Sequence, residues 1–184
     1  MNTSAARIVQ ISKYLSYHLR HRPDLLGLEL APGGWVEVEK LIAVAQIQGY
    51  SFDISELEDL VEQSDKRRFS FDSTGTLIRA NQGHSVVVDL QLQSVFPPEI
   101  LYHGTATRSL PKIIAEGLNK MRRHHVHLSR EINTAWQVAQ RKGKPVILEI
   151  AAGKMAAAEI KFYLSDNGVW LVDFVEPKYI KLQK

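Results

Sequence analysis

Arg68-Phe69-Ser70-Phe71-Asp72-Ser73-Thr74-Gly75-Thr76-Leu77-Ile78-Arg79 is where the periodicity of this chain changes, and the change decides how its first half is read. Residues 68–71 and 76–79 follow a period of two and flank Asp72-Ser73-Thr74-Gly75, a four-residue hairpin loop. Phe69 and Phe71 share one side of their strand, so Arg68 points the other way, out of the apolar layer. Upstream the period is helical. Ile8, Ile11, Leu15 and Leu19 form one stripe from about residue 4 to residue 20, while Lys13, Tyr17 and Arg20 share a different face. Pro23 ends that helix. After the turn at Pro32-Gly33-Gly34, Trp35-Val36 introduces a second helix through about residue 48, stopped by Gly49. Ser55 caps or begins a third, strongly acidic helix that ends near Ser64. Helices closed by a terminal hairpin predict a winged-helix-like lobe.

Downstream, Pro97-Pro98 marks a boundary, so lobes over residues 1–95 and 96–184 are expected. The second half mixes strands at 100–103, 126–128 and 146–150 with helices at 109–116, closed by Gly117, and near 131–140. Asp166-Asn167-Gly168 is a strong hairpin signal between strands at 162–164 and 169–172. The expected fold class is α+β, with antiparallel strands in the second lobe. Trp35, Trp136 and Trp170 sit in apolar stretches and read as core. No internal repeat or low-complexity segment interrupts the chain.

The chain has 184 residues, 45% of them hydrophobic, enough for a core in one domain or two small lobes. It has no cysteine, which excludes a disulfide framework and cysteine-based zinc sites and agrees with a reducing compartment. No apolar run approaches the roughly 18 residues of a membrane span. Arg7 and Lys13 interrupt the apolar positions a signal peptide needs. A soluble, cytoplasmic protein is expected. The net charge of +3 is unevenly spread: residues 1–95 carry 9 Lys and Arg against 12 Asp and Glu, residues 96–184 carry 14 against 8. Bulk attraction to nucleic acid is therefore absent from the first half. Phosphate contacts there must come from placed residues such as Lys13, Arg20, Arg22 and Arg68.

Those placed residues are scattered single cations. Arg20-His21 ends the first helix, Arg68 opens the hairpin, and Arg123 precedes His125-Val126-His127-Leu128-Ser129. Guanidinium groups gathered from distant segments commonly serve a phosphate, whose oxygens match their planar fork in pairs. His103-Gly104-Thr105 follows an apolar strand; glycine permits close backbone approach to a ligand, and His and Thr supply hydrogen bonds. No Gly-x-Gly-x-x-Gly or Gly-Lys-Ser/Thr cradle occurs, so a nucleotide would not be held by a Rossmann or P-loop device. In a strand His125 and His127 share a face and His124 does not; with no His-x-x-x-His pair or nearby carboxylate, a metal site is not expected. Val169, not Glu, follows the Asp-Asn-Gly turn, which argues against paired-carboxylate chemistry and against a glutamate that activates a hydroxyl acceptor. An acceptor that is already an anion needs no such base.

Taken in order, these pieces resemble the RNA 2′-phosphotransferase family, the NAD-dependent tRNA 2′-phosphotransferases of KptA type, over nearly the whole chain. The resemblance runs through Ser12-Lys13-Tyr14-Leu15-Ser16, Leu19-Arg20-His21-Arg22-Pro23, Gly33-Gly34-Trp35-Val36, Asp65-Lys66-Arg67-Arg68-Phe69 and Ile78-Arg79-Ala80-Asn81-Gln82-Gly83-His84-Ser85. It continues in Leu101-Tyr102-His103-Gly104-Thr105, Gly117-Leu118, residues 121–129 and Gly168-Val169-Trp170-Leu171. It implies a winged-helix-like RNA-binding lobe followed by an ADP-ribosyltransferase-like, NAD-binding lobe. It also implies removal of an internal 2′-phosphate from a tRNA-like RNA by transfer to NAD, through an ADP-ribosylated RNA 2′-phosphate. The products are 2′-hydroxyl RNA, ADP-ribose 1″,2″-cyclic phosphate and nicotinamide.

The family's Arg-His-Arg-Arg catalytic tetrad falls on Arg20, His21, Arg68 and Arg123, and its NAD-holding positions on His103, Gly104, Thr105, His127 and Ser129. A monomer using NAD and no metal is implied. Arg79 and His84 either line an RNA path or brace the junction of the lobes. Two rivals stand beside this expectation. One is ADP-ribosylation of a terminal nucleic-acid phosphate; the other is a noncatalytic RNA-binding module that senses NAD.

Overall fold

Ser4 starts the first helix, α1 (Ala5–His21), by accepting the Arg7 N–H on its side chain at 3.3 Å. In this computed structural model, which describes residues 3–63 and 67–183, Ile11, Leu15 and Leu19 of α1 are fully buried. Burying three aliphatic side chains at about 1.5–3 kcal/mol each outweighs the roughly 1 kcal/mol of a cap, so packing aims the last turn of the helix. The helix ends where the Arg22 N–H reaches back to the Tyr17 and His18 carbonyls and Pro23 begins a short 3₁₀ turn, Pro23–Leu26.

Trp35 and Val36 do not begin a helix. They belong to a strand, β1 (Trp35–Glu37), and the helix α2 (Val38–Ile47) starts only afterwards. An aromatic and a β-branched residue fit a pleated surface better than a first helical turn. Helix α3 (Ile54–Gln63) opens on a capping box: the Glu56 N–H donates to Asp53 Oδ1 at 2.9 Å and the Asp53 N–H to Glu56 Oε2 at 3.2 Å. Its expected end at Ser64, with Asp65 and Lys66, lies outside the described residues. The hairpin of β2 (Phe69–Phe71) and β3 (Leu77–Ala80) forms as the alternation requires. Asp72 closes its loop, accepting from the Leu77 N–H at 2.8 Å and the Thr74 hydroxyl at 2.6 Å, with Gly75 at φ +74°. Strand β1 pairs with β3, giving the order β1-β3-β2. Phe69 and Ile78 join Leu41, Leu57, Leu60 and the α1 stripe in one core, with Phe71 packed partly against it.

The second half unfolds from β4 (Leu101–Ala106), followed by α4 (Leu110–Glu116), β5 (Leu118–Asn119), β6 (Val126–Leu128) and α5 (Ile132–Gln140). Then come β7 (Pro145–Ile150), α6 (Ala152–Ala157), β8 (Phe162–Leu164), β9 (Trp170–Val172), β10 (Phe174–Val175) and β11 (Ile180–Leu182). Strand β4 outruns its expected length because all six of its residues find partners on β7. Two three-stranded sheets result, β11-β7-β4 and β6-β9-β8, beside a small β10-β5 pair. The two larger sheets are stitched where Tyr102 and Ser129 exchange both backbone hydrogen bonds, each 2.8 Å. At the Asp166-Asn167-Gly168 turn, buried Ser165 donates to Asn167 Oδ1 at 2.7 Å and Gly168 sits at φ +77°.

Every strand pairing among the described residues is antiparallel, and the fold is α+β. The chain divides into two units, residues 1–91 and 92–184. The division precedes the expected one because the Val95 N–H bonds the Phe162 carbonyl at 2.9 Å and Ser94 bridges Tyr163. Trp170 is core, whereas Trp136 is 43% exposed on α5. No helix among the described residues is long and apolar enough to cross a membrane.

Candidate functional site

In the first unit, the last turn of α1 presents Arg20 and His21 at the carbonyl end of the helix, where the macrodipole favours positive charge. The Arg20 Nη2 donates to the Arg68 carbonyl at 3.3 Å, and its guanidinium lies 5.6 Å from the centre of the Phe69 ring. Residues 81–85 hold this arrangement together. The Asn81 N–H donates to the same Arg68 carbonyl at 2.9 Å, and Asn81 Nδ2 to the Arg67 carbonyl at 2.7 Å. Arg67 thereby keeps a left-handed φ of +36°, which turns the chain into Arg68. Gly83, at φ +90°, passes the Arg20 side chain, and a Cβ there would stand 3.7 Å from Nη1. The Ser85 N–H donates to the Arg20 carbonyl at 2.9 Å, and Ser85 Oγ lies 2.9 Å from His21 Nδ1.

Arg20 and His21 at the end of α1 and Arg68 at the start of the hairpin are thus tied by a third segment, residues 81–85. Arg22 is not part of the group, because it forms an ion pair with Asp24 at 2.8 Å. Lys13 and Tyr17 are exposed on α1, two turns and one turn before Arg20. Of the two residues with open roles, Arg79 stacks on Trp35, its cross-strand partner, at 4.4 Å and donates to the Gly33 carbonyl at 3.2 Å. His84 is 1% exposed, and its imidazole lies against Gly34. Both have contacts within the first unit. The holding roles of Asn81 and Ser85 have one sequence sign, a polar run directly after an apolar strand.

In the second unit the candidate residues lie on either side of the seam between the sheets. His103 Nδ1 donates to the His127 carbonyl at 2.9 Å, leaving Nε2 to accept. Burial, then the Lys142 charge, push the His103 pKa down to about 4, so its ring is neutral at physiological pH. Arg123 Nη1 donates to His127 Nδ1 at 3.2 Å, which places the His127 proton on Nε2. Lys142 donates to the Gly104 carbonyl at 3.1 Å; burial, then Arg123, lower its pKa. Nothing in Arg141-Lys142-Gly143-Lys144 marks which head group folds back, so Lys142 was not legible as a neighbour of these residues.

Gly104 has a reason other than ligand approach: a Cβ there would meet the Ala135 carbonyl oxygen at 1.9 Å, so the glycine admits the backbone of α5 onto β4. Thr105 is 3% exposed, and Ser129 contributes through its backbone at the seam. Beside Ser129, at the start of α5, Tyr102, Arg130, Glu131, Ile132 and Asn133 line a hollow of about 370 Å³. A neutral imidazole acceptor and the Arg123 guanidinium, both bonded to His127, can hold a molecule that carries both hydroxyls and phosphates. His125 is partly buried, which lowers its pKa, and its ring lies 5.4 Å from that of Tyr163. Among the described residues no group of three His, Cys, Asp or Glu side chains could hold a metal ion.

Comparison with known proteins gives these two groups a common setting. Residues 6–174 match the model of the RNA 2′-phosphotransferase, Tpt1/KptA family. The chain is 58% identical over 178 residues to a probable RNA 2′-phosphotransferase of Nostoc punctiforme, covering 97% of this chain and 98% of that protein. A protein of the same name from Trichormus variabilis is 56% identical over 177 residues, covering 96% and 97%. One from Herpetosiphon aurantiacus is 51% identical over 178 residues, covering 97% and 98%.

Proposed function

The chain belongs to the RNA 2′-phosphotransferase family, and from that premise we propose that it removes an internal 2′-phosphate from RNA by transferring it to NAD. The observation that carries this reading is the convergence of Arg20, His21 and Arg68, tied by the Arg68 carbonyl and by Ser85. These are the residue types a dianionic phosphate needs, and backbone groups together with the Ser85 hydroxyl hold them in place.

In the first step a 2′-phosphate oxygen bonds C1″ of the nicotinamide ribose as the C1″–nitrogen bond breaks and nicotinamide leaves. Positioning contributes most here. In the second step the ribose 2″-oxygen bonds phosphorus while the phosphorus–O2′ bond breaks. His21 accepts the 2″-hydroxyl proton and returns a proton to the departing O2′, giving 2′-hydroxyl RNA and ADP-ribose 1″,2″-cyclic phosphate with the imidazole neutral again. Arg20 and Arg68 stabilise charge on the phosphoryl oxygens, and Arg123 keeps the catalytic role that the family resemblance gives it. His103 Nε2 accepts from a sugar hydroxyl of NAD, and Gly104, Thr105, His127 and Ser129 complete the strand ends that hold it.

The same reading makes the first unit a winged-helix-like RNA-binding lobe, supported by the order α1-β1-α2-α3-β2-β3. The second becomes an ADP-ribosyltransferase-like lobe, supported by its two stitched antiparallel sheets. A metal-independent, monomeric, cytoplasmic enzyme acting on tRNA-like RNA completes the proposal.

The test is a short oligonucleotide with one internal 2′-phosphate, incubated with and without NAD and with and without chelator. Phosphate loss that requires NAD, releases nicotinamide and ignores chelator is expected. Loss without NAD, or loss that needs a divalent metal, overturns the mechanism. ADP-ribosylated RNA as a stable end product would favour terminal-phosphate ADP-ribosylation instead.

A further inference from the structure

We propose that the Ser85 hydroxyl is a positioning group that fixes the tautomer of His21, with Nδ1–H donating to Ser85 Oγ and Nε2 exchanging the proton. The proposal rests on the reading of His21 as the proton-transfer group of the second step.

Two contacts carry it. The Ser85 N–H is bonded to the carbonyl of Arg20, the residue immediately before His21, at 2.9 Å, and Ser85 Oγ lies 2.9 Å from His21 Nδ1. Main chain and side chain of one serine thus grip two consecutive residues at the end of α1, leaving the hydroxyl little room to drift from the ring. Both hydrogen-bond directions fit a serine and a histidine at this distance, but only one survives the reaction. An imidazolium donates from both nitrogens, so a hydroxyl donating to Nδ1 would have to turn away each time the ring took a proton. A hydroxyl accepting from Nδ1–H keeps its bond in both states and strengthens it when the ring is charged. In that arrangement a proton enters and leaves at Nε2 with no reorganisation of the ring, as preorganised proton transfer requires.

Ser85 is also exposed, so removing its hydroxyl leaves no orphaned polar atom in the core. Its backbone bond to Arg20 persists in any variant except proline. Ser85→Ala therefore isolates the hydroxyl, and Ser85→Thr restores it.

The experiment uses the full chain in single-turnover reactions on an oligonucleotide carrying one internal 2′-phosphate, with saturating NAD. Ser85→Ala is expected to slow the second step about tenfold relative to the first, so that ADP-ribosylated RNA accumulates, and Ser85→Thr to abolish the accumulation. Nitrogen-resolved NMR of the His21 ring should show the proton on Nδ1 in the native protein and a mixture of tautomers in Ser85→Ala. Equal slowing of both steps, failure of threonine to restore the second, or a native ring protonated on Nε2 overturns the proposal. His21→Ala is run in parallel. If it turns over without trapping the intermediate, the reading of His21 itself fails; if it traps while Ser85→Ala does not, only the role of Ser85 fails.

Discussion

The two units gather their candidate residues in different ways. In the first, Arg20 and His21 end a helix, Arg68 opens a hairpin, and residues 81–85 bind both through backbone carbonyls. In the second, His103 and His127 occupy neighbouring strands, and Arg123 reaches His127 from four residues away in the same segment. One group is assembled by a polar loop; the other is a by-product of sheet pairing at the Tyr102–Ser129 seam. Loop-held groups can be perturbed singly with the fold intact, whereas seam residues share their fate with the sheets.

That contrast is broken most forcefully in the first unit. His21→Ala or Arg68→Ala should lower phosphate transfer by about 10²–10⁴-fold while thermal unfolding stays near that of the parent, with ADP-ribosylated RNA trapped. A large drop in unfolding temperature instead would mean that this loop-held group is structural. The second unit should respond in the opposite manner. Gly104→Ala places a methyl group against the Ala135 carbonyl and should cost about 1–3 kcal/mol in denaturant unfolding, because α5 must move off β4. A neutral Gly104→Ala would show that the helix is free to shift.

Smaller effects sharpen the comparison. Asn81→Ala removes the amide donor to the Arg67 carbonyl but keeps the main-chain bond to Arg68. A loss of about 1 kcal/mol of stability, with transfer slowed more at the second step than the first, is expected from paired unfolding and single-turnover measurements. The smallest signal is the titration of His103, whose midpoint in NMR should lie at about 4. Its pKa is below the ordinary histidine value of about 6.5, so between these values the folded chain binds fewer protons than the unfolded one. The stability this contributes is complete above about 6.5 and is lost as pH falls toward about 4. His103→Gln should flatten that part of the stability profile. A midpoint near 6.5 would show that the seam is open to water.

Much of the architecture was legible because it follows local rules. The stripe Ile11-Leu15-Leu19 defines α1, Asp72 and Gly75 define the hairpin loop, and Asp166-Asn167-Gly168 defines the β8–β9 turn. Trp35 and Val36 were misread because their partners, Arg79 and Ile78, lie some forty residues away and no local pattern announces the pairing. Very short strands such as β5 and β10 have too few residues to show any period. The candidate site divides along similar lines. Arg20, His21 and Arg68 stood out as charges at element ends. The grip of Asn81 and Ser85, the fold-back of Lys142 and the packing duty of Gly104 depend on contacts distant in sequence.

One backbone oxygen has consequences for how variants are interpreted. The Arg68 carbonyl receives both Arg20 Nη2 and the Asn81 N–H, so the junction of helix, hairpin and loop is secured by an atom every residue type possesses. Location and chemistry at Arg68 are therefore separable. Any side chain substituted there inherits the same address, and a graded series from lysine through glutamine to alanine reports on the guanidinium itself. A small-molecule guanidinium supplied to the alanine variant would find the surrounding framework already in place, which makes chemical complementation a realistic readout at this position.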